Sequence, residues 1–310
     1  IMSSSSSSSS SPFKNDCLKG KIALVTGGGS GICFEITKQL LLHGCAGAVI
    51  CGRRQTFLER ACRTLTQETG KACSYKTCDV RNPDQCRAAV DHTLREFGGR
   101  LDILVNGAAG NFLAQASALT PKGFHTVMSI DAQGTYNMTH AAYNALKQQK
   151  SSGSCSSSCV VNISATLQYG ATWYQCHASA AKSAIDSLTR SWALEWGEDG
   201  IRVNGIAPGP IANTPGTTKL GPGSEEDAKE MMEEGVPLGR MGEAKEIGYA
   251  AVYLCSSAGN YVTGDVLVVD GGQWLYKPPM VPKEMVAELS RRVEAKSRAQ
   301  APSAKLKSSL

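Results

Sequence analysis

The chain has 310 residues, 42% of them hydrophobic, and a formal net charge of +5, enough to bury one large core or two small ones. No apolar run reaches the roughly 18 residues of a membrane span, and the basic residues are spread along the chain, which argues against nucleic acid and fits an anionic small molecule equally well. Twelve cysteines without a C-x-x-C pair or a secretory segment point to reduced thiols in an intracellular compartment, and neither Cys73 with Cys78 nor Cys155 with Cys159 has the further ligands of a metal site.

In chain order, the sequence opens on a serine tract, Ser3 to Ser11, with no apolar surface to bury, so residues 1–16 are expected to be disordered. A single domain is expected over 17–277. Short β-branched or apolar runs stand at Ile22 to Thr26, Ala48 to Cys51, Ser74 to Cys78, Asp102 to Asn106, Cys159 to Ser164, Ile201 to Ala207 and Val266 to Val269, with helical patterns between them. Strands alternating with helices predict an α/β fold of Rossmann type: a doubly wound parallel sheet of about seven strands, covered by helices on both faces. The Ser-rich stretch Lys150 to Ser158 reads as an exposed loop with no assigned role, and residues 278–310 as a flexible basic tail.

The first strand runs into Gly27, Gly28, Gly29, Ser30, Gly31 and Ile32 and then a helical pattern. Glycines let the backbone turn tightly against a pyrophosphate, whose charge is met by free N–H groups at the helix N-terminus. A glycine cluster alone is as readily a flexible turn; the strand before it and the helix after it favour a phosphate loop. After the second strand, where an NAD site places a carboxylate on the ribose, stand Arg53 and Arg54. Arginine is unfavourable at a helix start unless an anion is near, so this pair predicts a ribose 2′-phosphate and NADPH as cofactor. Asp79, followed by Val80, is either an acceptor for the adenine amino group or a plain cap for the helix near Pro83. Asn106 and Ala108, flanking Gly107 after the fourth strand, let the backbone approach the cofactor ribose.

With Arg202-Val203-Asn204, Pro208-Gly209 and Asp270-Gly271-Gly272, these motifs, in order from about Gly20 to Trp274, resemble the short-chain dehydrogenase/reductase family. The resemblance implies cofactor contacts from Pro208, Gly209 and Ile211, and from Lys182, which matches the lysine of the family's Tyr-x-x-x-Lys pair. The tyrosine is missing. Ala178 stands in its place, and Tyr169 and Tyr174 have the wrong spacing. Cys33 replaces the glycine that usually closes the turn and is expected to loosen its packing slightly. Where the family has an asparagine this chain has Asp131, whose plain alternative is a carboxylate on a solvated helix face. Asp131 with Lys182 and no tyrosine, together with Ala108 to Leu113 and His177 to Lys182, resembles the peroxisomal 2,4-dienoyl-CoA reductases of that family.

That resemblance implies NADPH-dependent reduction of 2,4-dienoyl-CoA to 3-enoyl-CoA in the β-oxidation of unsaturated fatty acids. A ketone reductase protonates an alkoxide and needs an oxygen acid, whereas a reduced dienoyl thioester carries its charge on the thioester oxygen and takes a proton on carbon. Asp131 and Lys182 would form the proton relay through water, with Asn111 as donor to the oxygen. Arg54, Arg81 and Lys219 follow strands and are candidates for the coenzyme A phosphates, although lone surface charges are commoner; Asn111 and Phe112 complete the substrate set. Pro208 to Thr214, with the Gly- and Pro-rich residues that follow, suits a mobile lid over the nicotinamide and acyl chain. A stripe of Ala181, Ile185, Leu188 and Trp192 implies a homo-oligomer by resemblance and core packing otherwise. Ser308-Ser309-Leu310 resembles a peroxisomal signal but lacks its basic residue; the enzymatic resemblance implies the peroxisome ahead of the cytoplasm, with an import receptor as partner. The runners-up are a 3-oxoacyl-thioester or other carbonyl reductase, against which Ala178 counts, and a silent NADP-binding scaffold.

Overall fold

In the computed structural model, which describes residues 11–151, 157–220 and 235–300, β1 (Ile22–Thr26) is buried along its whole length. A strand with apolar residues facing both ways belongs inside a sheet covered on both sides. β2 (Gly47–Gly52), β4 (Ile103–Asn106), β5 (Ser158–Ile163) and β6 (Ile201–Pro208) are buried in the same way, whereas β3 (Ala72–Thr77) and β7 (Val266–Val269) are less so. Sheet position accounts for the difference. The order is β3-β2-β1-β4-β5-β6-β7, every pair parallel, with β3 and β7 at the edges. Each apolar run expected from the sequence lies within two residues of its strand at both ends.

The helices are α1 (Gly31–Leu42), α2 (Gln55–Thr69), α3 (Pro83–Glu96), α4 (Pro121–Met128), α5 (Gly134–Ser151), α6 (Cys176–Trp196), α7 (Pro215–Leu220) and α8 (Ala244–Cys255). Ile36 and Leu40 of α1, Leu58 and Leu65 of α2, and Ile247 and Val252 of α8 cover one face of the sheet. Val90 of α3, Met138 and Leu146 of α5, and Trp192 of α6 cover the other. Each such side chain contributes about 1.5–3 kcal/mol by leaving water. The order of strands reverses between β1 and β4, which leaves a crevice at the carboxyl ends of the strands.

Both ends of the domain depart from expectation. The chain is ordered before residue 17: Phe13 packs its ring on His43 at 5.9 Å between centroids, and Ser11 Oγ meets His43 Nε2 at 2.5 Å. One aromatic residue after the serine tract supplies the apolar anchor that the tract lacks. The first compact unit ends at Trp274, and the second, from Leu275, contains α9 (Val286–Gln300) where a structureless tail was expected. Glu288 with Arg292 and Glu294 with Arg298 pair one turn apart along that helix and support it locally. The Ser-rich loop is shorter than expected, because Ser151 ends α5 and Ser158 is a buried residue of β5 whose Oγ donates to Leu146 O at 2.8 Å. Residues 152–156 of it lie outside the described residues.

Cys33 fills the turn that it was expected to loosen. Its side chain is 5% exposed, and a Cβ added to Gly107 would stand 2.0 Å from its sulfur. The thiol of α1 thus occupies the volume that glycine leaves free in the loop after β4. Burial pushes this thiol up to about 12. Gly107→Ala is expected to cost about 1–3 kcal/mol in urea denaturation by overpacking, and Cys33→Ala in the same chain should restore most of that loss. An equal loss in both backgrounds would refute the contact.

Candidate active site

The loops after β1 and β4 meet backbone to backbone. Gly27 has φ +73°, and a Cβ on it would stand 2.8 Å from Gly107 O; one on Gly28 would stand 2.6 Å from Ile50 Cγ2. Thr26 joins the two loops, its Oγ1 accepting from the N–H groups of Gly107 at 3.0 Å and Ala108 at 3.1 Å. Beyond Gly29, α1 starts at Gly31 with Ser30 as its N-cap, without a side-chain capping bond and without an acidic residue in the first turn. Its leading N–H groups are left for an anion. A Cβ on Gly31 would stand 3.1 Å from Pro215 Cδ, so the segment after β6 reaches this turn. That segment is pinned in its first half: Gly209 N–H donates to Val269 O at 3.0 Å, Ile211 is buried and bridged to Gly242, and Thr214 is buried. Pro208 to Thr214 is therefore anchored, and the expectation of a lid rests on the Gly- and Pro-rich residues that follow it. Residues 221–234 and the side chain of Lys219 lie outside those described.

Arg53, at the end of β2, is exposed and has no ion-pair partner among the described residues. Arg54 is the N-cap of α2 and lays its guanidinium 3.9 Å above the Phe57 ring. Asp79 and Arg81, read separately as ligand groups, hold each other instead: Arg81 Nη2 donates to Asp79 Oδ2 at 2.5 Å and Nε to Oδ1 at 3.0 Å. This hydrogen bonding keeps the Asp79 carboxyl below its usual range. The cap of α3 is Asn82, which accepts from the N–H groups of Asp84 and Gln85, so Asp79 is not the cap. Val80 is buried and its carbonyl accepts from Asn137 Nδ2 at 2.9 Å. Asn106 is committed as well, its Nδ2 donating to Thr139 Oγ1 at 2.7 Å and Asn162 Oδ1 at 2.9 Å, while Asn162 Nδ2 donates to Thr189 Oγ1 at 2.9 Å. The Asn106 amide thus belongs to a buried polar ladder between β4, β5, α5 and α6.

Asp131 lies in a π-helical turn, Ser129–Gln133, between α4 and α5. Such a turn inserts a residue into the helical ladder and re-aims the side chains around it. Asp131 is 1% exposed, which excludes the solvated face. Its Oδ1 accepts from Gly110 N–H at 2.7 Å and its Oδ2 lies 3.3 Å from Lys182 Nζ, which also donates to Ile163 O at 3.0 Å. One turn before Lys182 on α6, Ala178 is buried with Val127 and Ala181, a site with no hydroxyl. Tyr169 stacks edge-on against Trp274 at 5.4 Å, and burial pushes its hydroxyl up to about 12. Tyr174 is half exposed, and its carbonyl accepts from Ala114 N–H at 2.9 Å. Neither tyrosine hydroxyl bonds to Asp131 or Lys182 among the described residues.

Asn111 donates one amide N–H to Gln175 Oε1 at 2.6 Å and keeps a second, while the Phe112 ring lies 4.4 Å from that of His177. His177 is fully buried with no hydrogen-bond partner on either ring nitrogen. The loop carrying Gly110 to Phe112 is therefore tied at one end to Asp131 and at the other to the start of α6. Two participants carried no signal in the sequence: Ile163 O is a backbone group, and Gln175 is an ordinary polar residue until the fold pairs it.

A phosphate-ready glycine turn at a topological switch point, beside a buried lysine–carboxylate pair, defines a dinucleotide-binding α/β oxidoreductase. The chain belongs to the short-chain dehydrogenase/reductase family: its residues 27–273 match the family model described as enoyl-(acyl carrier protein) reductase. It is 52% identical over 295 residues, covering 93% of this chain and 96% of the relative, to the peroxisomal 2,4-dienoyl-CoA reductase, (3E)-enoyl-CoA-producing, of Arabidopsis thaliana. Among solved structures it is similar to a 3-ketoacyl-(acyl-carrier-protein) reductase from Brucella melitensis complexed with NADH, with a TM-score of 0.75, 28% identity and coverage of 83% of this chain and 99% of that one. It is also similar to a gluconate 5-dehydrogenase from Burkholderia cenocepacia in complex with NADP and tartrate, with a TM-score of 0.76, 29% identity and coverage of 84% and 99%.

Lys182→Met leaves the Asp131 carboxylate buried with Gly110 N–H alone. Removing one partner of a buried pair costs about 3–5 kcal/mol, measurable by urea denaturation. Adding Asp131→Asn should recover much of it; a double variant as unstable as the sum of the singles would show that the pair does not couple.

Proposed function

We propose that the protein is an NADPH-dependent 2,4-dienoyl-CoA reductase that yields 3-enoyl-CoA in the β-oxidation of unsaturated fatty acids. The observation that carries this reading is the buried Asp131–Lys182 pair beside Ala178, where a carbonyl reductase of this family needs a tyrosine. The name of the 52% identical relative supports it.

The residues present fit a nicotinamide dinucleotide. The glycine turn has no room for a Cβ, the N-terminus of α1 is uncapped, and Arg53 has no acidic partner among the described residues. Gly27 to Ile32 would hold the pyrophosphate, Arg53 with Arg54 the 2′-phosphate, Asp79 and Val80 the adenine, and Asn106, Ala108, Pro208, Gly209 and Ile211, chiefly by backbone, with Lys182, the nicotinamide ribose side. Bound NADPH supplies the hydride. Arginine at the position where NAD sites use a carboxylate favours NADP over NAD.

Hydride addition to the far end of a conjugated dienoyl thioester delivers negative charge to the thioester oxygen. The spare amide N–H of Asn111 is the donor that would receive it. The new proton goes to the carbon beside the carbonyl. Asp131 accepts two hydrogen bonds and donates none in its ion pair, so its part is to orient a water that gives up the proton, and Lys182 replenishes that water. The Phe112 ring borders the acyl chain. Arg54 and Lys219 remain cations for the coenzyme A phosphates, whereas Arg81 reaches them only by leaving Asp79. The stripe of Ala181, Ile185 and Trp192 is buried inside this chain, as core packing requires, so a second copy of the chain rests on the family resemblance alone. The word peroxisomal in the relative's name supports a peroxisomal location, for which an import receptor would be the partner; Ser308 to Leu310 lie outside the described residues.

NADPH absorbance followed with a dienoyl-CoA, a 3-oxoacyl-CoA and no acyl substrate is expected to fall only with the first, giving 3-enoyl-CoA by mass and NMR spectra. Turnover of the 3-oxoacyl-CoA alone would transfer the protein to the carbonyl reductases. Asp131→Ala should bind NADPH normally and turn over about 10² to 10⁴ times more slowly, Lys182→Ala should weaken both steps, and the double variant should be little worse than the poorer single. Arg53→Ala should erase an NADPH preference of about ten- to a hundredfold over NADH, read from dissociation constants.

A further inference from the structure

α2 and β3 meet in one register on the far side of the sheet from the Asp131 pair. Glu59 and Cys62 stand three residues apart on one face of α2, and Cys73 and Tyr75 two apart on one face of β3. Tyr75 Oη donates to Glu59 Oε1 at 2.7 Å, and the sulfurs of Cys62 and Cys73 lie 3.4 Å apart. The Glu59–Tyr75 bond clamps the helix on the strand on one side of the sulfurs. On the other, Gly70 in the left-handed conformation ends α2 and turns the chain directly into β3. The two thiols are thus held as neighbours from both directions.

Both cysteines line an open surface depression of about 420 Å³ bounded also by Arg63 and Ser74, and Cys73 is only partly buried. Cys78 with Cys86 and Cys159 with Cys255 are also close neighbours, yet each of those four is enclosed in the core, at 2% exposure or less. An oxidant small enough to enter the depression meets Cys62 and Cys73 before either of the other pairs. Nothing in the reduction proposed above uses these two sulfurs.

We propose that Cys62 and Cys73 form a redox-modification site that takes hydrogen peroxide and closes to an intrachain disulfide. The hydrogen bond with Cys62 and burial hold Cys73 mainly as the thiol, so attack runs slowly through its small thiolate fraction: the thiolate attacks one peroxide oxygen, the O–O bond breaks, and the departing hydroxide takes up the proton that Cys73 released, leaving a sulfenic acid and one water. The Cys62 sulfur then attacks the Cys73 sulfur, the S–O bond breaks, and the hydroxyl leaves with the Cys62 proton as a second water. Two thiols and one peroxide become one disulfide and two waters. The bond would tie edge strand β3 to α2 across the turn at Gly70, and a dithiol reductant reverses it.

The test uses the full reduced chain, treated with a small molar excess of hydrogen peroxide, blocked with a maleimide, digested and analysed by mass spectrometry. The expected result is the loss of about 2 Da per chain, a peptide joining Cys62 to Cys73, and restoration by dithiothreitol. Cys62→Ser should abolish the joined peptide and leave Cys73 as a sulfenic acid that dimedone traps; Cys73→Ser should abolish both products. Unchanged NADPH binding by the two variants would show that they fold. A joined peptide between other cysteines, wild-type Cys73 running on to sulfinic acid beside a free Cys62, or no mass loss at all would each overturn the proposal.

Discussion

A carboxylate removed from water is costly unless a positive charge and hydrogen bonds meet it, and Asp131 meets that requirement with one lysine and one backbone N–H. Much of the surrounding structure is arranged to bring those two groups to it. The π-turn at Ser129–Gln133 carries the carboxylate indoors, the loop after β4 presents Gly110, and α6 presents Lys182, whose second bond to Ile163 O fixes it to the end of β5. Four separate elements therefore converge on one aspartate. Movement of any of them changes the distance between its oxygens and its donors, so the chemistry and the fold share the same constraint.

Below this pair lies the polar ladder of Asn106, Thr139, Asn162 and Thr189. It links the two strands whose ends bear Gly107 and Ile163 to the helices that bear the catalytic candidates. Buried networks of this kind fix geometry more than they add stability, because every donor has one good partner and few alternatives. The ladder turns both amide N–H groups of Asn106 inward.

The sequence made the strands legible because a two-faced apolar run of four to eight residues has few other places to go. The glycine turn was legible for the same kind of reason: Gly27 needs a positive φ and Gly28 has no room for a Cβ. Pairing was the part that the sequence concealed. Asp79 and Arg81 each read as a ligand group, and only the fold shows that they are each other's partner. The effect of Cys33 was invisible for a related reason, since the glycine that accommodates it lies at position 107 and no local pattern connects the two. Lys182 and Asp131 came through by resemblance, and their partners Gly110 N–H and Ile163 O are main-chain groups that every residue type possesses. At the termini, composition outweighed a single Phe13 in one case and charge pairing along α9 in the other.

The bare start of α1 has a consequence for the whole molecule. α3 satisfies its leading N–H groups with Asn82, while α1 has no side chain of its own to do so. A helix end left open in this way is completed by whatever anion occupies it, and any ligand that binds only the native state adds RT ln(1 + [L]/Kd) to its stability, about 2.7 kcal/mol at a hundredfold excess over Kd. A nicotinamide dinucleotide seated on this turn therefore makes the folded chain harder to unfold, and its departure removes that increment.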